Sequence, residues 1–367
     1  MDTDQTLFLP RAKLQTLIAS LLGQAYEVIA PVVDQGAILY RPIQHSDELP
    51  LGAQDDQAPG HYRVTSSESS RHFAWANGPQ ALKPLVFAAR EVLWTTEQDK
   101  QGRMRFNTVP ETPKKRAVFG VRACDLAALA LTDQHFLAAE ADSAYQTRRQ
   151  GLVLIAVNCS HPADTCFCAS TNDGPACSSG YDLLLDELDD GFLLCLGSST
   201  LEATVDQLGL EAASAAQLEE ARAQLQQAVE CQKRSLPNVH QQLRQRLEHD
   251  HWQDVADRCL ACGNCTSVCP TCFCHNETEV PAFDGRSSQH LRQWDSCFTS
   301  EHSYIHGFLV RRETRFRYRQ WLSHKLDYWH DQYGRSGCVG CGRCISWCPE
   351  GIDLTEEVAG LLKETQK

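Results

Sequence analysis

Cys259-Leu-Ala-Cys262-Gly-Asn-Cys265-Thr-Ser-Val-Cys269-Pro270 and Cys338-Val-Gly-Cys341-Gly-Arg-Cys344-Ile-Ser-Trp-Cys348-Pro349 are the two stretches that decide how this chain is read. Both have the spacing Cys-x2-Cys-x2-Cys-x3-Cys-Pro, the bacterial ferredoxin run. In two-cluster proteins the fourth cysteine of each run ligates the other cluster. The expected ligand sets are therefore Cys259, Cys262, Cys265 and Cys348 for one [4Fe-4S] cluster. Cys338, Cys341, Cys344 and Cys269 are expected to hold the second. Three thiolates close in sequence wrap one face of a cubane and a distant fourth closes it. Gly263, Gly340 and Gly342 are expected to let backbone pass close to the inorganic sulfide. Paired Cys-x2-Cys also suits zinc, but two complete four-cysteine runs, each ending in Cys-Pro, favour iron and sulfur.

Almost seventy residues separate the runs, many more than in compact ferredoxins. The insertion carries Trp294, Tyr304, Phe308, Phe316, Trp321 and Trp329 and reads mostly as helix. We expect residues 246–367 to form a helical ferredoxin-like domain with two [4Fe-4S] clusters. Within it, Arg311, Arg312, Arg315, Arg317, Arg319 and Lys325 interleave with Phe316, Tyr318, Trp321, Tyr328 and Trp329. That pattern fits a helix with a solvated basic face and a buried aromatic one. It also fits a positive setting for anionic clusters, or a docking face for a partner.

Residues 1–245 read as a mixed α/β domain, making the whole α+β. Leu14, Leu17, Ile18, Leu21 and Leu22 have helical spacing within Pro10–Leu22. Tyr26–Val33 and Ala37–Ile43 read as strands joined through Asp34-Gln35-Gly36. Residues 44–60 read as a loop. Ala117–Val121 and Leu152–Val157 are apolar runs suited to buried strands, with a helix over Asp125–Ala139 between them, so a parallel pairing is expected. Cys124 and Cys159 follow these strands, at the ends where α/β sheets bind ligands. Residues 202–250 should be largely helical.

The chain has 18 cysteines among 367 residues, 11 of them between Cys259 and Cys348. No secretory signal is legible near Met1-Asp2-Thr3-Asp4 and no run suits a membrane span, so metal binding is preferred to disulfides and a cytoplasmic location is expected. The formal net charge of -13 argues against general nucleic-acid binding. Cys124, Cys159, Cys166 and Cys168 form the expected site of a third cluster. Asp125, Cys177, Cys272, Cys274 and Cys297 are alternative ligands, although Asp125 reads better as a helix cap. The tetrapeptide Thr165-Cys-Phe-Cys168 recurs as Thr271-Cys-Phe-Cys274 and suggests two halves of one shared site. Cys195 reads as core and Cys231 as an ordinary helical thiol. No acid, base or nucleophile constellation is legible, so substrate chemistry is expected on other subunits. The rival is catalytic: Cys166 and Cys168 as a strained, reducible pair in a sulfur or polysulfide reductase.

The segments Gly120–Leu129, Asn158–Cys168, Gly174–Leu183, Cys259–Cys274, Trp294–Phe298 and Arg317–Lys325 running on to Asp353 together resemble a known family. It is that of the β (iron-sulfur) subunits of sulfhydrogenases, the cytoplasmic NAD(P)-linked [NiFe] hydrogenases. The chain is also similar to the A subunit of anaerobic sulfite reductase. The resemblance implies an electron-transfer subunit beside a flavin/NAD(P)-binding subunit and a catalytic pair, either [NiFe] hydrogenase or sirohaem sulfite reductase. It also implies a third cluster in the N-terminal domain.

Overall fold

The computed structural model describes residues 6–80 and 82–363; the acidic Met1–Asp4 segment lies outside the described residues. An eight-stranded mixed sheet is built from β1 (Leu7–Pro10), β2 (Glu27–Asp34), β3 (Ala37–Pro42), β4 (Arg116–Val121), β5 (Leu152–Val157), β6 (Leu183–Glu187), β7 (Gly191–Leu196) and β8 (Glu211–Ala212). Its strand order is β8-β1-β7-β6-β5-β4-β2-β3. The apolar runs at β4 and β5 pair in parallel, as expected, and the long helix between them spans Ala123–Phe136. A second helix, Ser143–Gln150, also lies in that crossover, with Asp142 accepting from the Tyr145 amide as its cap. The β2–β3 hairpin turns through Gln35 and Gly36, both with positive φ. One face of the sheet packs on the helix Leu14–Gly23, burying Leu14, Leu17, Ile18 and Leu21 with Phe73, Phe119 and Phe192.

Three expectations fail here for local reasons. Residues 44–60 are not simply loop: Ala53–Ala58 pairs with His61–Ser66 as a hairpin. Its pattern is polar because it rests on the second cysteine run through polar contacts. Ser346 Oγ donates to Gln57 Oε1 at 2.7 Å, and the Gly60 amide donates to the Ile345 carbonyl at 3.1 Å. The insertion between the runs is not mostly helix. His275–Pro281 and Ser287–Trp294 form a hairpin that joins Arg90–Gln98 and Met104–Thr108 in a four-stranded sheet. Its partner strand is far away in sequence, and Arg292 is tied to Glu91 at 2.7 Å, so local periodicity carried no signal. Beyond Glu230 the expected helical stretch becomes turns until His251–Arg258.

Helical structure resumes at Thr314–Ser323, passes through one π-helical turn at His324–Tyr328 and ends at Trp329–Tyr333. With His251–Arg258 and Leu354–Leu362 it encloses a core of Trp252, Tyr318, Trp321, Leu326, Ile352 and Val358. The overall architecture is mixed α/β. Among the described residues no helix is long and apolar enough to cross a membrane.

Candidate iron-sulfur centres

Each cysteine run closes on a short helix entered through a left-handed glycine. Gly263 (φ 74°) precedes Asn264–Ser267, and Gly342 (φ 74°) precedes Arg343–Ser346. At Gly340 and Gly342 the space a side chain would fill is taken by protein backbone. A Cβ at Gly340 would lie 2.5 Å from the Cys168 amide nitrogen, and one at Gly342 would lie 2.6 Å from the Thr165 carbonyl oxygen. The close neighbour at the second run is therefore the segment Thr165–Cys168, whose Phe167 amide donates to the Gly340 carbonyl at 2.8 Å.

Cys259, Cys262 and Cys265 line one cavity together with Cys344 and Cys348 of the second run. Its remaining wall is largely apolar and aromatic: Phe298, Tyr318, Trp321, Ile352 and Leu354. Tyr318 Oη and Trp321 Nε1 are buried without a hydrogen-bond partner. Unpartnered buried donors are costly, and sulfide or thiolate in the cavity would accept from them. The donor chemistry and these orphaned groups fit an iron-sulfur cluster.

Cys338, Cys341 and Cys344 gather with Cys269, close enough for each charge to bear on the others. Lys325, on the π-helical turn and 4% exposed, points its ammonium into this group. Its Nζ lies 2.9 Å from Thr271 Oγ1 and 3.5 Å from Cys269 Sγ. The Cys272 thiol and then the Lys325 charge help hold the Cys269 thiol well below its ordinary range. Arg343, between two cysteines of this run, forms a fully buried bidentate pair with Asp125 at 2.7 and 3.0 Å. Asp125 is thus neither the cap of its helix nor a free oxygen donor. That helix has no side-chain cap at Arg122, and both Asp125 oxygens serve Arg343.

Cys168 lies within electrostatic reach of Cys124, Cys159 and Cys166, and Cys124, Cys166 and Cys168 lie within reach of Cys341. Burial pushes all four thiols up, Cys168 to about 12. Asn77 Nδ2 donates to Cys124 Sγ at 3.0 Å, and Gln232 Nε2 lies 3.6 Å from Cys168 Sγ. Cys177 sits beyond Cys159, its amide donating to Asn158 Oδ1 at 2.7 Å. The two Thr-Cys-Phe-Cys copies do not share one site. The first joins this group, whereas Cys272 and Cys274 line a separate cavity with Cys297. What the copies share is an anchor on the second run. Thr165 Oγ1 pairs with Ser346 Oγ at 2.8 Å, and Thr271 Oγ1 donates to the Gly337 carbonyl at 2.7 Å. Cys195 is half-buried on its strand, and Cys231 is exposed at a helix end.

Sequence reading missed Arg343, Asn77 and Gln232, and it gave Lys325 no role apart from the basic stretch. Buried cations inside or beside a cysteine run were the available signal. Among the described residues, no three His, Cys, Asp or Glu side chains close on a point as around a single ion. At the first run the thiols rim a cavity instead.

Thiols of two ferredoxin runs gathered around cavities fit an iron-sulfur protein, and residues 258–352 match the 4Fe-4S dicluster domain family. The chain is also 32% identical over 252 residues to the sulfhydrogenase 2 subunit beta of Pyrococcus furiosus, covering 65% of this chain and 72% of that one. It belongs to the family of sulfhydrogenase β subunits. No solved structure matches the chain.

Proposed function

We propose that this chain is the electron-transfer subunit of a cytoplasmic, NAD(P)-linked [NiFe] hydrogenase of the sulfhydrogenase kind. The single observation that carries the reading is the first cavity, where three thiols of one run meet Cys344 and Cys348 of the other. Cys259, Cys262, Cys265 and Cys348 hold one [4Fe-4S] cluster; Cys338, Cys341, Cys344 and Cys269 hold the second. Such clusters supply one-electron steps at potentials set by charge, hydrogen bonds and solvent access. The chain's own residues do the tuning: Lys325 places positive charge beside Cys269, and Tyr318 and Trp321 offer donors in the first cavity.

The buried group Cys124, Cys159, Cys166 and Cys168 is the candidate for a third cluster in a unit spanning residues 1–245. In this reading it adjoins a two-cluster unit of residues 246–367, with Cys124, Cys166 and Cys168 within electrostatic reach of Cys341. Pairs of electrons are handled by a flavin/NAD(P)-binding partner, and hydrogen by a catalytic partner. The similarity to a sulfhydrogenase subunit of Pyrococcus furiosus favours this setting over a sirohaem sulfite reductase complex.

Iron and acid-labile sulfide on anaerobically purified chain, followed by a reductive titration read by low-temperature EPR, tests the reading. We expect at least about eight iron per chain with two one-electron signals, and a further signal lost in Cys159→Ser. Zinc in place of iron would overturn it. Turnover of polysulfide by the isolated chain with an artificial donor would instead make the chain a reductase in its own right.

A further inference from the structure

Between the two ferredoxin groups lies a second cavity of about 170 Å³, lined by Cys272, Cys274, Cys297, His302, His324 and Arg311 among others. Trp321 is a wall of both this cavity and the first-run cavity, and Lys325 links it to the second run. Three thiols on one small cavity wall are far more than core packing requires, and neither ferredoxin run needs them.

His302 supplies the second observation. Its Nδ1 lies 3.1 Å from Asp295 Oδ2, and its side chain lines the cavity together with Cys274. A metal-ligating histidine is characteristically oriented this way, one ring nitrogen held by a carboxylate and the other presented to the metal. Asp295 is itself fixed: it accepts from the Ser296 amide at 2.7 Å and from the Thr299 hydroxyl at 2.5 Å. Cys274 and Cys297 line the same cavity wall. Arg311 and Lys325 also line the cavity and supply positive charge. A lone zinc ion would draw its ligands to one point, and the described side chains do not converge in that way.

We infer that Cys272, Cys274, Cys297 and His302 hold a further iron-sulfur cluster, with three cysteines and one histidine as ligands and Asp295 as the carboxylate that orients the histidine. The inference rests on the reading of the chain as an iron-sulfur electron carrier, and adds a centre distinct from the Cys124, Cys159, Cys166 and Cys168 group. Its place beside both runs makes it a branch or exit for electrons. Histidine in place of cysteine removes a negative ligand, as in the Rieske centres, and raises the potential.

The test uses the full chain, purified anaerobically and labelled with ¹⁵N-histidine. Pulsed EPR of the reduced protein should show a nitrogen hyperfine coupling on one cluster signal. His302→Cys should remove that coupling while keeping the iron. The double substitution Cys274→Ala with Cys297→Ala should lose one cluster's iron and labile sulfide and leave the ferredoxin-pair signals in place. Wild-type protein without any histidine nitrogen coupling overturns the inference, whether or not the double variant folds. So does a folded double variant whose iron content is unchanged. Absence of the ferredoxin-pair signals from the wild-type chain would instead strike at the functional reading beneath.

Discussion

The two ferredoxin runs have the same cysteine spacing and very different surroundings. The first-run cavity is walled by Phe298, Tyr318, Trp321, Ile352 and Leu354, and its polar help is two unpartnered donors. The second-run group is set among charges and foreign backbone. Lys325 reaches Cys269, Arg343 is locked to Asp125, and Thr165–Cys168 presses on Gly340 and Gly342. The first is a thiol-lined cavity inside the C-terminal helical core. The second is a joint between that core and the α/β sheet. An identical ligand motif therefore serves two mechanical roles, and in the proposed reading it gives two potentials.

The largest expected effect follows from the mechanical difference. Cys259→Ala with Cys262→Ala should remove about four iron and loosen the helical core, leaving amide protection in the eight-stranded sheet intact. Cys338→Ala with Cys341→Ala should remove a similar amount and also expose the segments around residues 53–66, 77–80 and 165–168. Hydrogen exchange alongside iron analysis measures both; equal and local damage from the two pairs would erase the comparison.

Next in size is the ion pair that fastens the joint. Arg343 donates to both Asp125 oxygens and to the backbone carbonyls of Gly78 and Gln80. Arg343→Met strands a buried carboxylate, a change that costs about 3–5 kcal/mol in comparable pairs. Asp125→Asn with Arg343→Met should recover much of that loss, because no charge is then left unpaired. Chemical denaturation of the four proteins of this cycle gives the coupling; additive losses would show that the pair does not fasten the joint.

The sequence displayed one of these regions far better than the other. The cysteine runs, the parallel strands Arg116–Val121 and Leu152–Val157, and the amphipathic helix at Leu14–Gly23 were all legible, because each is written in local spacing or an apolar run. The joint was not. The hairpin Ala53–Ala58 with His61–Ser66 has a polar pattern explained only by Ser346 and Ile345 across the molecule. The strand Ser287–Trp294 finds its partner about two hundred positions earlier, at Arg90–Gln98. Arg343 looked like one more polar residue inside a ligand run, and His302 carried no motif at all. Long-range pairing and buried charge are properties of the packed chain, and spacing does not encode them.

A smaller effect concerns the electrical difference. The Lys325 ammonium lies 3.5 Å from Cys269 Sγ and has no carboxylate among its hydrogen-bond partners. Two unit charges about 7 Å apart at an effective dielectric of about 20 interact by roughly 2 kcal/mol, which is on the order of 100 mV for one electron. Lys325→Met should lower the potential of the second-run cluster by about that much and leave the first nearly unchanged. An EPR-monitored titration decides it. A shift shared equally by both clusters would mean that the lysine sets a general field and does not distinguish the two.

The smallest effect belongs to the apolar side. Tyr318 Oη is buried without a protein partner, and Tyr318 forms part of the wall around Cys259, Cys262, Cys265 and Cys348. If its hydroxyl donates to the cluster, Tyr318→Phe removes one hydrogen bond worth about 0.5–1.5 kcal/mol, or roughly 20–60 mV in a one-electron potential. The shift should be downward, because donors to sulfur favour the more negative reduced state. Phenylalanine keeps the ring that packs on Trp252, Phe298 and Trp321, so stability should hold within about 1 kcal/mol. A lowered first-run potential with an unmoved second-run potential is the mirror image of the Lys325 result, and together they separate tuning by hydrogen bond from tuning by charge. An unmoved first-run potential would mean that the hydroxyl is no donor to the cluster and that its wall acts through burial alone.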